Sequence, residues 1–187
     1  MSENLRLYHA GLYSMNAVVV RVDPTRWDEP SMCADWTCRE VLGHVIWQAR
    51  ALAARASDGE PPAEQPEVEV AGDDPLANWI KARDRVLLAL DQPGVVNREV
   101  AGPFGPMTVD FGLRLGASDT YTHSWDIGAA IDVDPHLDPG VAAAILPGLQ
   151  AAGDGLRQPG LLGPEIDVPD DADIVTRFLA YCGRHPS

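Results

Sequence analysis

Four segments of the sequence repeat apolar residues at helical spacing, and caps, prolines or glycines bound each of them. Residues three and four positions apart lie on one face of a helix, so this spacing predicts amphipathic helices. The second segment opens with Thr37-Cys38-Arg39-Glu40, which reads as a capping box with threonine at the N-cap and glutamate three positions later. The four predicted helices cover residues 5–22, 37–56, 75–90 and 108–131.

The connections between these segments carry signals of their own. Residues 60–73 are acidic and contain prolines, so we expect a solvated connection there. Residues 95–107 combine valines with a Gly-Pro-Phe-Gly-Pro cluster, which predicts a short extended piece or a hairpin. The third helix is expected to begin at Asp74 and Pro75. Its predicted buried stripe consists of Leu76, Ile80, Leu87 and Leu90.

Helical signals continue after the fourth segment. Residues 139–152 have a helical composition, in which Pro147 predicts a break or a kink. A final helix is expected to begin at a cap formed by Asp170 or Asp171.

The length of 187 residues suits one domain spanning 1–187. Four helices with two long connections predict an all-α fold, a four-helix bundle over about 3–155 with a short C-terminal helical extension over about 156–187. No run approaches the roughly 18 apolar residues that a membrane helix needs. The N-terminus also lacks a basic region followed by an apolar signal core, so we expect a cytoplasmic protein without a membrane partner.

The charge balance argues against one class of partner. Fourteen basic residues against 28 acidic ones leave a net charge of −14, and the basic residues are scattered. Such a surface repels a phosphate backbone, so we expect no nucleic-acid binding. A small anionic substrate stays compatible, because it needs only one or two local cations or a metal.

The three cysteines do not predict a disulfide framework or a metal-binding motif. Cys33, Cys38 and Cys182 are odd in number, and the first two are five positions apart. This spacing fits neither a disulfide scaffold nor a Cys-x-x-Cys metal or redox motif. We expect all three to be reduced thiols without a ligand.

Two histidines lie in apolar helical segments where a metal site is conceivable. Asp119 and His123 are four positions apart, so their side chains converge on one face of the fourth helix. His44, in the middle of the second helix, is the natural third ligand because its surroundings are apolar. Two imidazoles and one carboxylate leave positions open on a metal, as a catalytic site requires.

Simpler interpretations stand beside this one. An Asp-x-x-x-His pair on a helix is often only a salt bridge, and Glu40 already has a local role in the capping box. Asp126 is either an acceptor that orients a ligating histidine or a surface acid. His136 and His185 are expected at the surface. His9, on the first helix, is expected either to pack against its neighbours or to lie at the surface. Five tryptophans are interpreted first as core or loop anchors: Trp27, Trp36, Trp47, Trp79 and Trp125.

Two motifs resemble a known family. The first is residues 27–44, with a loop ending in Cys-x-x-Trp-Thr, then a basic–acidic pair and a histidine one turn later. The second is Asp119-x-x-x-His123-x-Trp125-Asp126. Both resemble the metal motifs of the mycothiol-dependent maleylpyruvate isomerase family, within the DinB-like group of metal-binding four-helix bundles. With the tail at 168–184, the likeness reaches from about residue 3 to residue 184.

The resemblance implies a site and a chemistry. His44, Asp119 and His123 would hold a divalent metal, with zinc as the default and nickel as the alternative. Mycothiol or a similar thiol would be the co-substrate. The family usually has glutamate at the position of Asp119, which is one methylene shorter. The isomerase itself also carries a further domain where this sequence has a short tail, so we do not expect maleylpyruvate isomerisation as such.

Three functional hypotheses follow. The first is a metal-dependent transferase or isomerase of low-molecular-weight thiol chemistry acting on a small electrophile, with Tyr121 and Arg114 as candidates for substrate binding. The second is a non-catalytic divalent-metal-binding bundle, a sensor or a partner-binding module. The third is a bundle whose histidines serve the core and bind no metal. Bundles of this type often pair through an apolar helix face, which leaves a homodimer open.

Overall fold

The computed structural model describes residues 1–102, 105–157 and 162–186. Within these residues the chain forms helices almost throughout, with one short antiparallel hairpin. The elements are α1 (Glu3–Val19), α2 (Cys38–Ala56), α3 (Glu67–Ala71), α4 (Pro75–Leu90), β1 (Glu99–Gly102), β2 (Gly105–Thr108), α5 (Val109–Ala130), α6 (Pro139–Ala152) and α7 (Ile174–Tyr181). The predicted all-α class is confirmed.

The chain divides into two compact units, Met1–Pro135 and His136–Ser187. In the first unit α1 packs mainly against α5, and α2 packs against α4, α5 and the short α3. The four long helices of this unit form the predicted bundle. In the second unit α6 packs against α7. The single domain expected over 1–187 stays a prediction.

Side-chain caps fix where the helices of the first unit begin. The predicted capping box is present, because the Thr37 side chain accepts from Glu40 N and the Glu40 carboxylate accepts from Thr37 N. Asp74 caps α4 through Ala77 N, as expected, with a proline at the first helical position. Ser2 caps α1 through Leu5 N. These caps supply acceptors for backbone N–H groups that have no partner inside the helix.

A hairpin is confirmed within the expected range of residues 95–107, with strands Glu99–Gly102 and Gly105–Thr108. Val95–Asn97 instead form a short 3-10 helix, and residues 103–104 of the expected turn cluster lie outside the described residues. The register of the hairpin pairs Glu99 with Thr108 and Gly102 with Gly105. Thr108 ends β2 and also caps α5, since its side chain accepts from Phe111 N. The hairpin therefore leads directly into the helix that carries Asp119 and His123.

The predicted buried face of α4 is wrong by about one position. The true stripe is centred on Trp79, which is fully buried and donates from Nε1 to Asn16 Oδ1 of α1 at 3.3 Å. Leu76, Ile80 and Leu87 are only half-buried. The buried residues of α4 are Pro75, Trp79, Ala82, Val86, Ala89 and Leu90. A large indole with a polar partner sets the rotation of the helix, which the spacing of leucines alone does not reveal.

Three further expectations are corrected. The solvated connection over 60–73 contains α3, whose last two residues are buried. Helix α6 continues through Pro147, so the expected break is wrong, while the alternative of a kink stays a prediction. The cap of α7 is Asp173, not Asp170 or Asp171, because its carboxylate accepts from Val175 N and from the next backbone N–H.

Among the described residues, no helix combines the length and the apolar character that crossing a bilayer requires.

Candidate metal centre

The structure brings His44, Asp119 and His123 together where α2 packs against α5. One ligand atom from each lies within 4.8 Å of the other two. Oδ1 of Asp119 is 3.2 Å from Nε2 of His44 and 3.6 Å from Nε2 of His123. The aspartate side chain therefore lies close to both imidazoles.

The other carboxylate oxygen provides a test of whether these residues suit a cation. Oδ2 of Asp119 is buried and finds no hydrogen-bond partner among the residues that the structure describes. A buried anionic oxygen without a partner is costly in a protein that holds no cation there. Two imidazoles and a carboxylate are also donors that divalent zinc and nickel accept. The donor set fits a divalent metal with positions left for other ligands.

Asp126 lies behind one of the imidazoles. Its Oδ2 is 2.8 Å from Nδ1 of His123, and the residue is fully buried. Donation of Nδ1–H to this carboxylate leaves Nε2 of the same ring as the free electron-pair donor facing Asp119. The burial of Asp126 contradicts the alternative of a surface acid, and its contact with His123 is compatible with the other alternative, an acceptor that orients this histidine.

Charge coupling in the group is strong in the metal-free protein. Burial raises the pKa of the Asp119 carboxyl, but the nearby His44 and His123 outweigh it and hold that pKa well below its usual range. Burial lowers the pKa of His123, but Asp119 and Asp126 together raise it to about 9. A proton on His123 thus supplies the positive charge that a bound cation would otherwise supply.

Trp36 covers the two imidazoles. Its ring centroid is 5.2 Å from that of His44 and 6.1 Å from that of His123. Trp36 belongs to a turn closed by a hydrogen bond from Ser31 N to its carbonyl, at 2.9 Å. From the sequence we expect Trp36 to be a core or loop anchor, and its proximity to the two imidazoles is not predicted. The sequence signal for its position was that Trp36 directly precedes Thr37, the N-cap of the helix that carries His44.

Tyr8 is a second residue near the site that the sequence does not reveal. It is buried on α1, and a Cβ added at Gly116 of α5 would lie 3.0 Å from its ring. Burial raises the pKa of the Tyr8 phenol, and the negative charge of Asp119 raises it further. No local spacing could link Tyr8 to a motif on another helix.

The remaining sequence candidates lie in different settings. Tyr121 is fully buried, and it leaves α5 about 200° around the helix from both Asp119 and His123. Arg114 is half-buried on the same helix. Substrate binding by Tyr121 and Arg114 stays a prediction. The expected surface positions of His136 and His185 are confirmed, since both are exposed.

Comparison with known proteins gives a family and a fold. The model of the mycothiol maleylpyruvate isomerase N-terminal domain matches residues 8–128, within the unit that carries the site. Two uncharacterised proteins of Mycobacterium tuberculosis, from strains CDC 1551 and H37Rv, are each 27% identical to this chain over 171 residues, 90% of either length.

Two crystal structures of the mycothiol-dependent maleylpyruvate isomerase are similar in fold. One has a TM-score of 0.63 at 23% identity and covers 80% of this chain and 67% of its own. The other, of a histidine-to-alanine mutant, has a TM-score of 0.59 at 20% identity and covers 76% of this chain and 67% of its own. The likeness confirms the predicted DinB-like bundle. The chain belongs to the mycothiol maleylpyruvate isomerase N-terminal domain family.

Proposed function

We propose that this chain is a metal-dependent enzyme of low-molecular-weight thiol chemistry. His44, Asp119 and His123 would hold one divalent ion, zinc by default and nickel as the alternative. The observation that carries the proposal is the convergence of their ligand atoms within 4.8 Å around a buried carboxylate oxygen with no partner among the described residues. Membership of the family supports mycothiol, or a similar thiol, as the co-substrate.

The metal would make the thiol reactive. When bound, such an ion lowers the pKa of a coordinated thiol and so supplies a thiolate at neutral pH. Three protein ligands suit this role because they leave room for the thiol. The side chains of His44 and Asp119 are 21% and 30% exposed, so the group opens to solvent on their side.

The protein's own residues orient and cover the site. Asp126 keeps the proton of His123 on Nδ1, so that Nε2 points at Asp119 in the tautomer that binds a metal. Trp36 lies over both imidazoles and limits the access of water from its side. A small electrophile would meet the thiol sulfur on the side that Trp36 leaves open.

The reaction class follows from the nucleophile. The thiol loses its proton, and its sulfur forms a bond to an electrophilic carbon of the substrate while that carbon either loses a leaving group or opens a π bond whose electron pair takes up a proton. Formation of the sulfur–carbon bond is shared by a thiol transferase and a thiol-dependent isomerase. The transferase keeps this bond in its product, whereas the isomerase breaks it again. The site's chemistry is common to both.

An adduct assay tests the proposal. Zinc-loaded or nickel-loaded protein is mixed with mycothiol and monobromobimane, and the rate of thioether formation is compared with that of free mycothiol. We expect acceleration by the wild type and by His185→Ala, whose side chain is exposed and is not one of the three candidate ligands. We expect His44→Ala and Asp119→Ala to return the rate to that of the free thiol.

The same assay separates the competing hypotheses. Tight metal binding with no acceleration for any thiol and electrophile would contradict the enzyme and support a non-catalytic metal-binding bundle. Equal acceleration by wild type and His44→Ala would contradict the assignment of the ligands.

A further inference from the structure

A second group of metal-ligating side chains surrounds the far side of His123. The Sγ atom of Cys33, a ring nitrogen of His123 and a carboxylate oxygen of Asp126 lie within 4.8 Å of one another. This group shares only His123 with the set that contains His44 and Asp119. Cys33 is a cysteine outside any disulfide, as expected from the sequence, and its sulfur lies beside two other potential ligands.

The backbone holds Cys33 against this group. The turn that carries it is closed by hydrogen bonds from Ser31 N to Trp36 O at 2.9 Å and from Trp36 N to Cys33 O at 3.2 Å. Met32 N, next to the cysteine, donates to the carbonyl oxygen of Asp126 at 3.1 Å. The thiol is thus anchored to the same residue whose carboxylate it approaches.

The donors suit a thiophilic ion. Asp126 is fully buried and His123 is 8% exposed, whereas Cys33 is half-buried and open to an arriving ion. Ligand atoms around a tetrahedral ion stand about 3.3–3.8 Å apart, given typical zinc bonds. Closing the group from within 4.8 Å requires side-chain adjustments of about 1 Å. A thiolate in the set favours copper(I), zinc or cadmium over magnesium or calcium.

We propose that Cys33, His123 and Asp126 form a second cation site that takes a thiophilic ion at the expense of the ion held with His44 and Asp119. An ion between Asp126 and His123 occupies the Nδ1 position that now donates to the carboxylate. One neutral imidazole offers a single electron pair, so His123 serves one ion at a time. Loading the second site withdraws His123 from the first.

Cadmium binding tests this site without any assay of activity. The protein is titrated with Cd(II), and thiolate-to-cadmium charge-transfer absorption in the ultraviolet is followed. The double variant His44→Ala/Asp119→Asn removes the first set and keeps the second. We expect it to bind one cadmium ion per chain with the charge-transfer band. Adding Cys33→Ser, which keeps the size of the side chain, should abolish the band.

Cys38→Ala is the matched control, because Cys38 is fully buried five positions along the chain and outside the group. Its band should equal that of wild type, with circular dichroism confirming that each variant is folded. A band that survives Cys33→Ser, or no band in the wild type, would overturn the inference. The cadmium titration is independent of the proposed function. If the proposed function is wrong, the adduct assay shows no acceleration, but the charge-transfer band is still present.

Discussion

The Nδ1 atom of His123 lies 2.8 Å from Oδ2 of Asp126, a carboxylate that has no exposed surface. This contact fixes which nitrogen of His123 faces Asp119. Acceptors in this position typically change metal affinity by about 10- to 100-fold. Asp126 is not one of the three candidate ligands. We therefore expect it to affect the metal affinity of the site through its contact with His123.

Asp126→Asn keeps the size of the side chain and removes its charge. We expect zinc affinity to fall by about 10- to 100-fold, because Nε2 of His123 becomes a weaker donor. Competition with a chromophoric chelator measures the affinity. Asp84→Asn on the exposed side of α4 is the control and should bind zinc like the wild type. Unchanged affinity in Asp126→Asn would show that the contact does not tune the site.

The metal-free protein should lose stability between about pH 6.5 and pH 9. The pKa of His123 is about 9 in the folded protein, above the value of about 6.5 in an unfolded chain. Its stabilising contribution is therefore complete below about pH 6.5 and is lost as the pH rises through 9. One such group changes the free energy of unfolding by at most about 1.4 kcal/mol per pH unit.

Urea unfolding across this pH range, in the presence of a chelator, measures the effect. His123→Gln should flatten the profile, whereas His185→Gln should keep the slope of the wild type because His185 is exposed. Parallel profiles for wild type and His123→Gln would contradict the strong coupling of His123 to its two aspartates.

Local rules are enough to predict parts of this structure. The capping box of Thr37 and Glu40 depends on residues three positions apart, and the structure forms it as predicted. The convergence of Asp119 with His123 follows from one helical turn. The prediction that Asp119 and His123 lie close to His44 is based on the apolar surroundings of both helices and on the resemblance to a family.

Other features depend on tertiary packing, which the spacing of residues along the sequence does not predict. The buried face of α4 contains Trp79, whose indole donates to Asn16 of α1, and the predicted stripe is displaced from this face. The position of Trp36 depends on the course of a turn that is anchored to Asp126 by its backbone. Tyr8 comes near Asp119 through the packing of α1 against α5, where Gly116 leaves room for its ring.

The capping box gives a direct test of how α2 is held. Thr37→Ala removes the acceptor for Glu40 N, and we expect a loss of about 1 kcal/mol in the free energy of unfolding. Thr25→Ala is the control, since Thr25 is exposed and should change stability by less than about 0.5 kcal/mol. Equal values for both variants would mean that the cap does not stabilise α2.

Gly43, next to His44, is required by the contact between α2 and α3. A Cβ at this position would lie 1.9 Å from the carbonyl oxygen of Glu67, so the backbone of one element must move. We expect Gly43→Ala to destabilise the protein by about 1–3 kcal/mol. Gly59→Ala, whose Cβ would stand 3.4 Å from its nearest neighbour, serves as the matched variant. Chemical denaturation compares the two, and a neutral Gly43→Ala would contradict the close approach.

Elemental analysis of protein purified without an affinity tag tests whether His44, Asp119 and His123 hold a metal. The wild type and His123→Ala are purified and then reconstituted with zinc or nickel, and metal per chain is measured after gel filtration. We expect close to one ion per chain in the wild type and loss of that ion in His123→Ala. No bound metal in the reconstituted wild type, or an equal content in both proteins, would contradict it.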